Sequence, residues 1–99
     1  METKIQALHF NATEQLQAFI QKKCAKLEKV YDQIQTVDVV LKVVKPETSQ
    51  NKQACITVKS ASGDCYADKT CDTFEQAVDD SLAALVKQLQ KMKEKQREN

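Results

Sequence analysis

The amino-acid sequence predicts an α+β fold whose elements follow the order β-α-β-β-β-α. Two long segments place apolar residues at steps of three and four, which is the spacing of one helix face. Four shorter segments alternate in polarity or are rich in β-branched residues, as strands are. Turn-forming residues, including the only glycine, Gly63, separate the strands. We therefore expect a four-stranded mixed sheet with two roughly parallel helices on one face.

The composition is that of one ordinary domain rather than of a polycation. The chain has 99 residues, and we expect residues 1–99 to form a single domain whose charged tail frays after about residue 93. The formal net charge is only +1, so affinity for an anionic partner would have to come from a local arrangement of charges. No apolar run is long enough to span a membrane and no signal-peptide pattern occurs, which favours a cytoplasmic protein without a membrane partner.

Residues that usually carry out catalysis or bind metals are few. The four cysteines, Cys24, Cys55, Cys65 and Cys71, contain no CxxC pair, and His9 is the only histidine that could assist them. Cys55 and Cys65 could face each other across a hairpin, yet cytosolic thiols are usually reduced and pack as small hydrophobes. No nucleophile elbow or phosphate loop occurs. We therefore predict no enzymatic activity, no cofactor, no metal and no small-molecule substrate.

The first strand and the first helix are predicted from alternation followed by capping residues. Lys4 to Phe10 alternate in polarity, with His9 as the last residue of one face. Asn11 and Thr13 are both good N-caps, so a helix begins near Glu14 in either case. The apolar stripe of this helix consists of Leu16, Phe19, Ile20, Leu27, Val30 and Tyr31.

Four lysines lie on the second half of the first helix. Lys22, Lys26 and Lys29 flank the apolar stripe at steps of four and three, whereas Lys23 falls inside the stripe. Two interpretations of Lys23 are open. Its stem could pack while its ammonium group reaches water, or this part of the face could border a groove that holds an anionic partner.

Three further strands follow. Gln35 to Lys45 alternates Val and Leu with other residues, and Pro46 to Lys52 has the composition of a loop. Gln53 to Ser60 and Cys65 to Thr70 are the third and fourth strands. Gly63 lies in the turn between them, where it supplies a positive φ.

The last helix is the most regular segment of the chain. Asp72 is the predicted N-cap, and Glu75 would complete a capping box. Three lysines, Lys87, Lys91 and Lys95, stack on a face turned away from the apolar stripe. That stripe consists of Phe74, Val78, Leu82, Leu85, Leu89 and Met92.

The order of the elements predicts how the two lysine rows meet. A helix joins strands one and two, so these should be parallel, whereas short links make strands two, three and four an antiparallel meander. The two helices then run in the same direction and share their C-terminal ends. We therefore expect the two lysine rows to form one patch, with Asp79 and Asp80 toward the opposite end.

Several motifs occur here in a specific order. They are Ala12-Thr13-Glu14-Gln15-Leu16, Lys23-Cys24-Ala25-Lys26-Leu27-Glu28, Val39-Val40-Leu41-Lys42-Val43, and Asp72-Thr73-Phe74-Glu75-Gln76-Ala77-Val78 running on to Leu85-Val86-Lys87-Gln88-Leu89. Over essentially the whole chain they resemble the ribosome hibernation-promoting factors and their relative, the ribosome-associated translation inhibitor. Longer family members append a linker and a dimerising domain, so this chain looks like a short form.

The resemblance implies a ribosome-binding domain of the same β-α-β-β-β-α fold. Family members bind the small ribosomal subunit between head and body, in the A- and P-site region of the messenger and transfer RNA channel. They block translation and keep ribosomes dormant during starvation or stationary phase. Basic helix positions of the family contact ribosomal RNA phosphates, and Lys23, Lys26, Lys87 and Lys91 match them. Together with the other lysines of the same two rows, these matches make the expected rRNA-binding residues Lys22, Lys23, Lys26, Lys29, Lys87, Lys91 and Lys95.

The chain also departs from the family pattern, and two other functions stay open. Many members carry glycine ahead of the first helix, where this chain has Ala7-Leu8-His9-Phe10, and Cys24 replaces an aromatic or aliphatic residue. A double-stranded RNA reader has a similar core, but the basic start expected of its last helix is acidic here, Asp72-Thr73-Phe74-Glu75. In a protein–protein adaptor with no RNA role, the lysines would simply be solvated.

Overall fold

The computed structural model describes residues 1–45 and 50–97. The elements are β1 (Glu2–Ala7), α1 (Glu14–Ala25), α2 (Leu27–Val30), β2 (Ile34–Val43), β3 (Lys52–Ser60), β4 (Gly63–Cys71) and α3 (Phe74–Arg97). Residues 46–49 of the predicted loop lie outside the described ranges. Lys52 is not part of a loop, because it begins β3 and pairs with Val43.

The sheet has the predicted topology. Its strand order is β1-β2-β3-β4, in which β1 is parallel to β2 and the other two pairs are antiparallel. The pairing also shows that Cys55 and Cys65 do not face each other. Cys65 lies opposite Val58 and Cys55 lies opposite Asp68, so the two thiols are on different faces of the sheet. All four cysteines are free thiols.

The core lies between the helices and one face of the sheet. Alternate residues of each strand point toward the helices, which explains why the strands bury every second side chain. The fully buried side chains of this layer include Ile20, Cys24 and Leu27 from α1 and α2, Val37, Val39, Leu41, Ala54, Ile56 and Val58 from β2 and β3, and Val78, Leu85 and Leu89 from α3. The other sheet face remains open and is called the open face below.

The first strand ends earlier than predicted, because the chain turns at His9. The backbone of His9 has a φ of +66°, in the left-handed region that glycine adopts most easily. His9 is therefore not a strand residue. After this turn the Phe10 ring stacks on Phe74, the first residue of α3, with 5.0 Å between ring centroids. The turn seats the chain against α3 before α1 begins.

Threonines cap both long helices. The Oγ1 atom of Thr13 accepts a hydrogen bond from the Leu16 N–H at 3.1 Å, so Thr13 rather than Asn11 is the cap of α1. The Oγ1 atom of Thr73 accepts from the Gln76 N–H at 3.1 Å. The predicted cap at Asp72 is therefore wrong by one residue.

The predicted first helix is divided at Lys26. The Lys26 N–H donates to the carbonyl of Lys23 at 3.2 Å, a tighter turn than that of a regular helix, and the short α2 follows. Two features show that these segments run parallel to α3, as predicted. Phe10 meets Phe74 just before α1, and Val30 at the end of α2 lines one groove with Val86, farther along α3.

A side chain of α3 protects the exposed edge of the sheet. β4 is an edge strand, and its Tyr66 carbonyl accepts a hydrogen bond from Gln88 Nε2 at 2.9 Å. The Gln88 Oε1 atom in turn accepts from the Tyr66 N–H at 3.4 Å. The amide thus pairs with the strand backbone much as a neighbouring strand would. This contact also fixes which flank of α3 faces β4.

Candidate nucleic-acid interface

The lysines of the first helical segment form what we call the first lysine surface: Lys22, Lys23, Lys26 and Lys29. Lys22, Lys26 and Lys29 are exposed, whereas the Lys23 side chain is only 33% exposed. Amphipathic spacing explains the difference, since Lys23 lies inside the apolar stripe that packs toward α3.

Lys23 combines the two interpretations that its position allows. Its Nζ atom lies 5.5 Å from the centroid of the Phe19 ring, so the stem packs along the helix. The same Nζ atom lies 3.5 Å from Oδ1 of Asp79 on α3. Lys23 therefore does border a groove, but the Asp79 carboxylate of the same protein already pairs with its charge.

A groove runs between α3 on one side and α1 and α2 on the other, and we call it the helix groove. Its floor is apolar and its rim carries two lysines and one carboxylate. The lining residues are Lys23, Lys26, Leu27, Val30, Asp79, Leu82, Ala83 and Val86. The expectation that Asp79 lies toward the end away from the lysines is wrong. α1 has 12 residues and α3 has 24, so the end of α1 lies beside the early turns of α3.

The lysines of α3, Lys87, Lys91 and Lys95, form a second lysine surface. Relative to Asp79 they are rotated about the helix axis by about 80°, 120° and 160°, away from α1. Lys91 and Lys95 accordingly line a groove with Gln88, the residue that contacts the backbone of β4. The lysines expected to form a single patch therefore line different grooves, and the grooves of Lys26 and Lys87 adjoin at Ala83 of α3.

Lys69 is a cation that sequence reasoning did not assign to the site. It lines what we call the strand-side groove, together with Asp80, Ala83, Ala84 and Lys87. Its position on β4 carries the only available signal. Lys69 follows Cys65 and Ala67 at steps of two, and both of those residues are buried beneath the helices.

Two cysteine thiols packed near the helices have raised pKa values. Burial raises the pKa of the Cys24 thiol to about 11. Burial and the Asp80 carboxylate, which lies 3.5 Å from the Cys71 sulfur, raise the pKa of Cys71. These shifts favour the protonated thiol, which is a poor nucleophile and a poor metal ligand.

The described ranges contain neither a metal-binding cluster nor a membrane span. Across residues 1–45 and 50–97, no three side chains of His, Cys, Asp or Glu are grouped so that they could hold a metal ion. In the same ranges, no helix combines the length and apolarity needed to cross a bilayer.

Solved structures share the fold of this chain. A ribosomal subunit interface protein from Coxiella burnetii superposes with a TM-score of 0.82 at 19% identity, covering 94% of this chain and 98% of that one. The N-terminal domain of Protein Y from Thermus thermophilus gives 0.75 at 20% identity, covering 89% and 93%. At these identities the likeness concerns the fold alone.

Sequence relatives extend the likeness to the family. The ribosome hibernation promoting factor of Pseudomonas putida is 31% identical over 96 residues, which is 97% of this chain and 90% of that protein. That of Escherichia coli is 34% identical over 95 residues, 96% of each chain. The resemblance read from the sequence is thereby confirmed. Residues 3–97 match the model of the family described as Sigma 54 modulation protein / S30EA ribosomal protein, and the chain belongs to that family.

Proposed function

We propose that this protein associates with ribosomes and keeps them dormant. In the finer form of the proposal, it occupies the messenger and transfer RNA channel of the small subunit, in the A- and P-site region, and blocks translation in the cytoplasm. One observation carries the proposal: the family match spans residues 3–97, and relatives over that length are named ribosome hibernation promoting factors. The mechanism is steric occlusion, without a covalent step or a cofactor.

The distribution of charge supports an RNA partner. The formal net charge is +1, yet seven lysines are concentrated on the two lysine surfaces, on the helical side of the molecule. Lysine ammonium groups are point charges, and their contacts with phosphates do not distinguish bases. A fixed RNA surface can therefore be recognised by the position of its phosphates. Because the surfaces lie on either flank of α3, they would contact phosphates on both sides of this helix.

Sedimentation with separated ribosomal subunits tests the proposal. The protein should migrate with the small subunit in a sucrose gradient, inhibit translation of a reporter messenger, and be displaced when transfer RNA saturates the A and P sites. Sedimentation with the large subunit alone would contradict the finer proposal. Binding to free duplex RNA instead would favour a double-stranded RNA reader, and failure to bind either RNA would favour a protein–protein adaptor.

A triple variant that removes three positive charges tests whether the first lysine surface contacts the RNA. Replacing Lys22, Lys26 and Lys29 by glutamine should weaken small-subunit binding and reduce its salt dependence. The slope of log affinity against log salt is negative, and each lost phosphate contact should make it shallower by about 0.7 to 0.9. The matched control replaces three lysines of the open face, Lys4, Lys42 and Lys59, and should bind like the unmodified protein. Equal losses in both variants would show that only total charge matters.

A further inference from the structure

We propose that Lys69 on β4 and Lys87 on α3 together hold one RNA phosphate in the strand-side groove. Lys69 would thus be an RNA-binding residue on the sheet, outside the helices that carry the other lysines. This inference rests on the proposed function, because it assumes an RNA partner that reaches the second lysine surface.

The register of β4 places Lys69 at the groove. Lys69 shares the helix-facing side of the strand with Cys65 and Ala67 and pairs with Ala54 of β3. Those three residues are buried, whereas Lys69 is exposed. The reason is its position on an edge strand, where a long side chain can pass beside α3 and reach water. Its ammonium group is therefore available on the same flank as Lys87.

Only small side chains lie between the two lysines. Ala83 and Ala84 line the groove between the flanking side chains, and each presents only a methyl group. A phosphate could therefore approach without displacing a side chain. Among the described residues, neither Lys69 nor Lys87 has a carboxylate within the 4.0 Å of an ion pair, in contrast to Lys23 in the helix groove. Both charges are thus available to an external anion.

Among the described residues that line this groove, Asp80 is the one acid, and it should weaken the phosphate contact. Its Oδ2 atom lies 3.5 Å from the sulfur of Cys71, which holds the carboxylate toward the strand. Two lysines and one aspartate leave a single net positive charge among the lining residues. Neutralising Asp80 should therefore strengthen RNA binding at this groove, while neutralising Lys69 should weaken it.

The test measures small-subunit affinity across a salt series for Lys69→Gln, Lys87→Gln and the double variant. Each single variant should bind several-fold more weakly, and its slope of log affinity against log salt should be shallower by about 0.7 to 0.9. Because both lysines would hold the same phosphate, the double variant should lose less than the sum of the single losses. Lys4→Gln, on the opposite edge strand, is the matched control and should leave affinity and slope unchanged. Asp80→Asn should bind more tightly.

The possible failures are distinguishable. If the unmodified protein binds the small subunit and Lys69→Gln binds equally well with the same slope, the inference is wrong while the proposed function stands. Strictly additive losses in the double variant would also overturn the shared phosphate. If the unmodified protein does not bind, both proposals fail. Circular dichroism melting curves of all variants should coincide, because each altered side chain is exposed.

Discussion

The proposed function predicts that replacing Asp79 by asparagine will tighten binding to the small ribosomal subunit. In the free protein the Asp79 carboxylate lies 3.5 Å from the Lys23 ammonium group and so competes with any RNA phosphate for that cation. Asparagine keeps the size of the side chain and removes its charge. Lys23 then becomes available to the partner, and an anion is removed from the rim of the helix groove.

The size of the effect follows from the exposure of the pair. The side chains of Lys23 and Asp79 are 33% and 48% exposed, so solvent screens their attraction. Exposed ion pairs of this kind contribute about 0.2 to 1 kcal/mol. Releasing Lys23 can therefore strengthen binding by at most about fivefold, since 1.4 kcal/mol corresponds to a factor of ten. The free energy of unfolding should fall by no more than about 1 kcal/mol.

The assay is small-subunit binding at low and at high salt. The gain from Asp79→Asn should shrink as salt screens the charges, and the part of it that comes from releasing Lys23 should disappear when Lys23 is also replaced by glutamine. Asp38→Asn is a matched control, because Asp38 forms a similar ion pair with Lys59 on the open face, at 3.7 Å. Unchanged or weaker binding of Asp79→Asn, under conditions where the unmodified protein binds, would refute this role of Lys23.

Three further predictions concern the fold. His9→Gly should raise the melting temperature by a few degrees, because the left-handed backbone of His9 costs about 1 kcal/mol and glycine avoids part of that cost. A lower melting temperature would show that the His9 side chain stabilises the fold by more than its backbone conformation costs. Cys24 should resist a short pulse of iodoacetamide at pH 8 and react once urea unfolds the chain. Because the pKa of Cys24 is about 11, on the order of one Cys24 thiol in a thousand is ionised at pH 8. If mass spectrometry detected rapid labelling of Cys24 in the folded protein, its burial would be contradicted. Leu85→Ala should cost about 2 to 5 kcal/mol in urea unfolding, because the side chain is fully buried. The exposed Gln90→Ala on the same helix should change stability by about 0.5 kcal/mol or less.

Much of the fold was predictable from the sequence because its signals are local. The apolar spacing of α3 and the alternation of β2 are properties of short segments, and tertiary contacts reinforce them. The parallel pairing of β1 and β2 also followed from the chain, because a helical connection returns the chain to the end of the sheet at which the first strand began. Gly63 has the predicted positive φ, of +137°, because its turn leaves few alternatives.

The arrangement of the site could not be read from the same signals. Spacing places Lys23 on one face of α1 and Asp79 on one face of α3, but it does not say how far one helix is displaced along the other. That displacement depends on how α1 docks against the sheet after the turn at His9. The structure therefore decided that Lys23 meets Asp79 and that Lys87 lies on the flank of α3 beside Lys69 of β4.

The sequence by itself thus determined the elements, their order and the apolar face that each one buries, because hydrophobic periodicity belongs to a single segment. Only the tertiary structure decided which charges share a groove, because such proximity depends on the rotation and offset of whole elements packed on a common sheet. Lys23 and Lys87, both expected from the sequence to bind RNA, consequently differ in what surrounds them. One is paired with an internal carboxylate, and the other is open to an external phosphate.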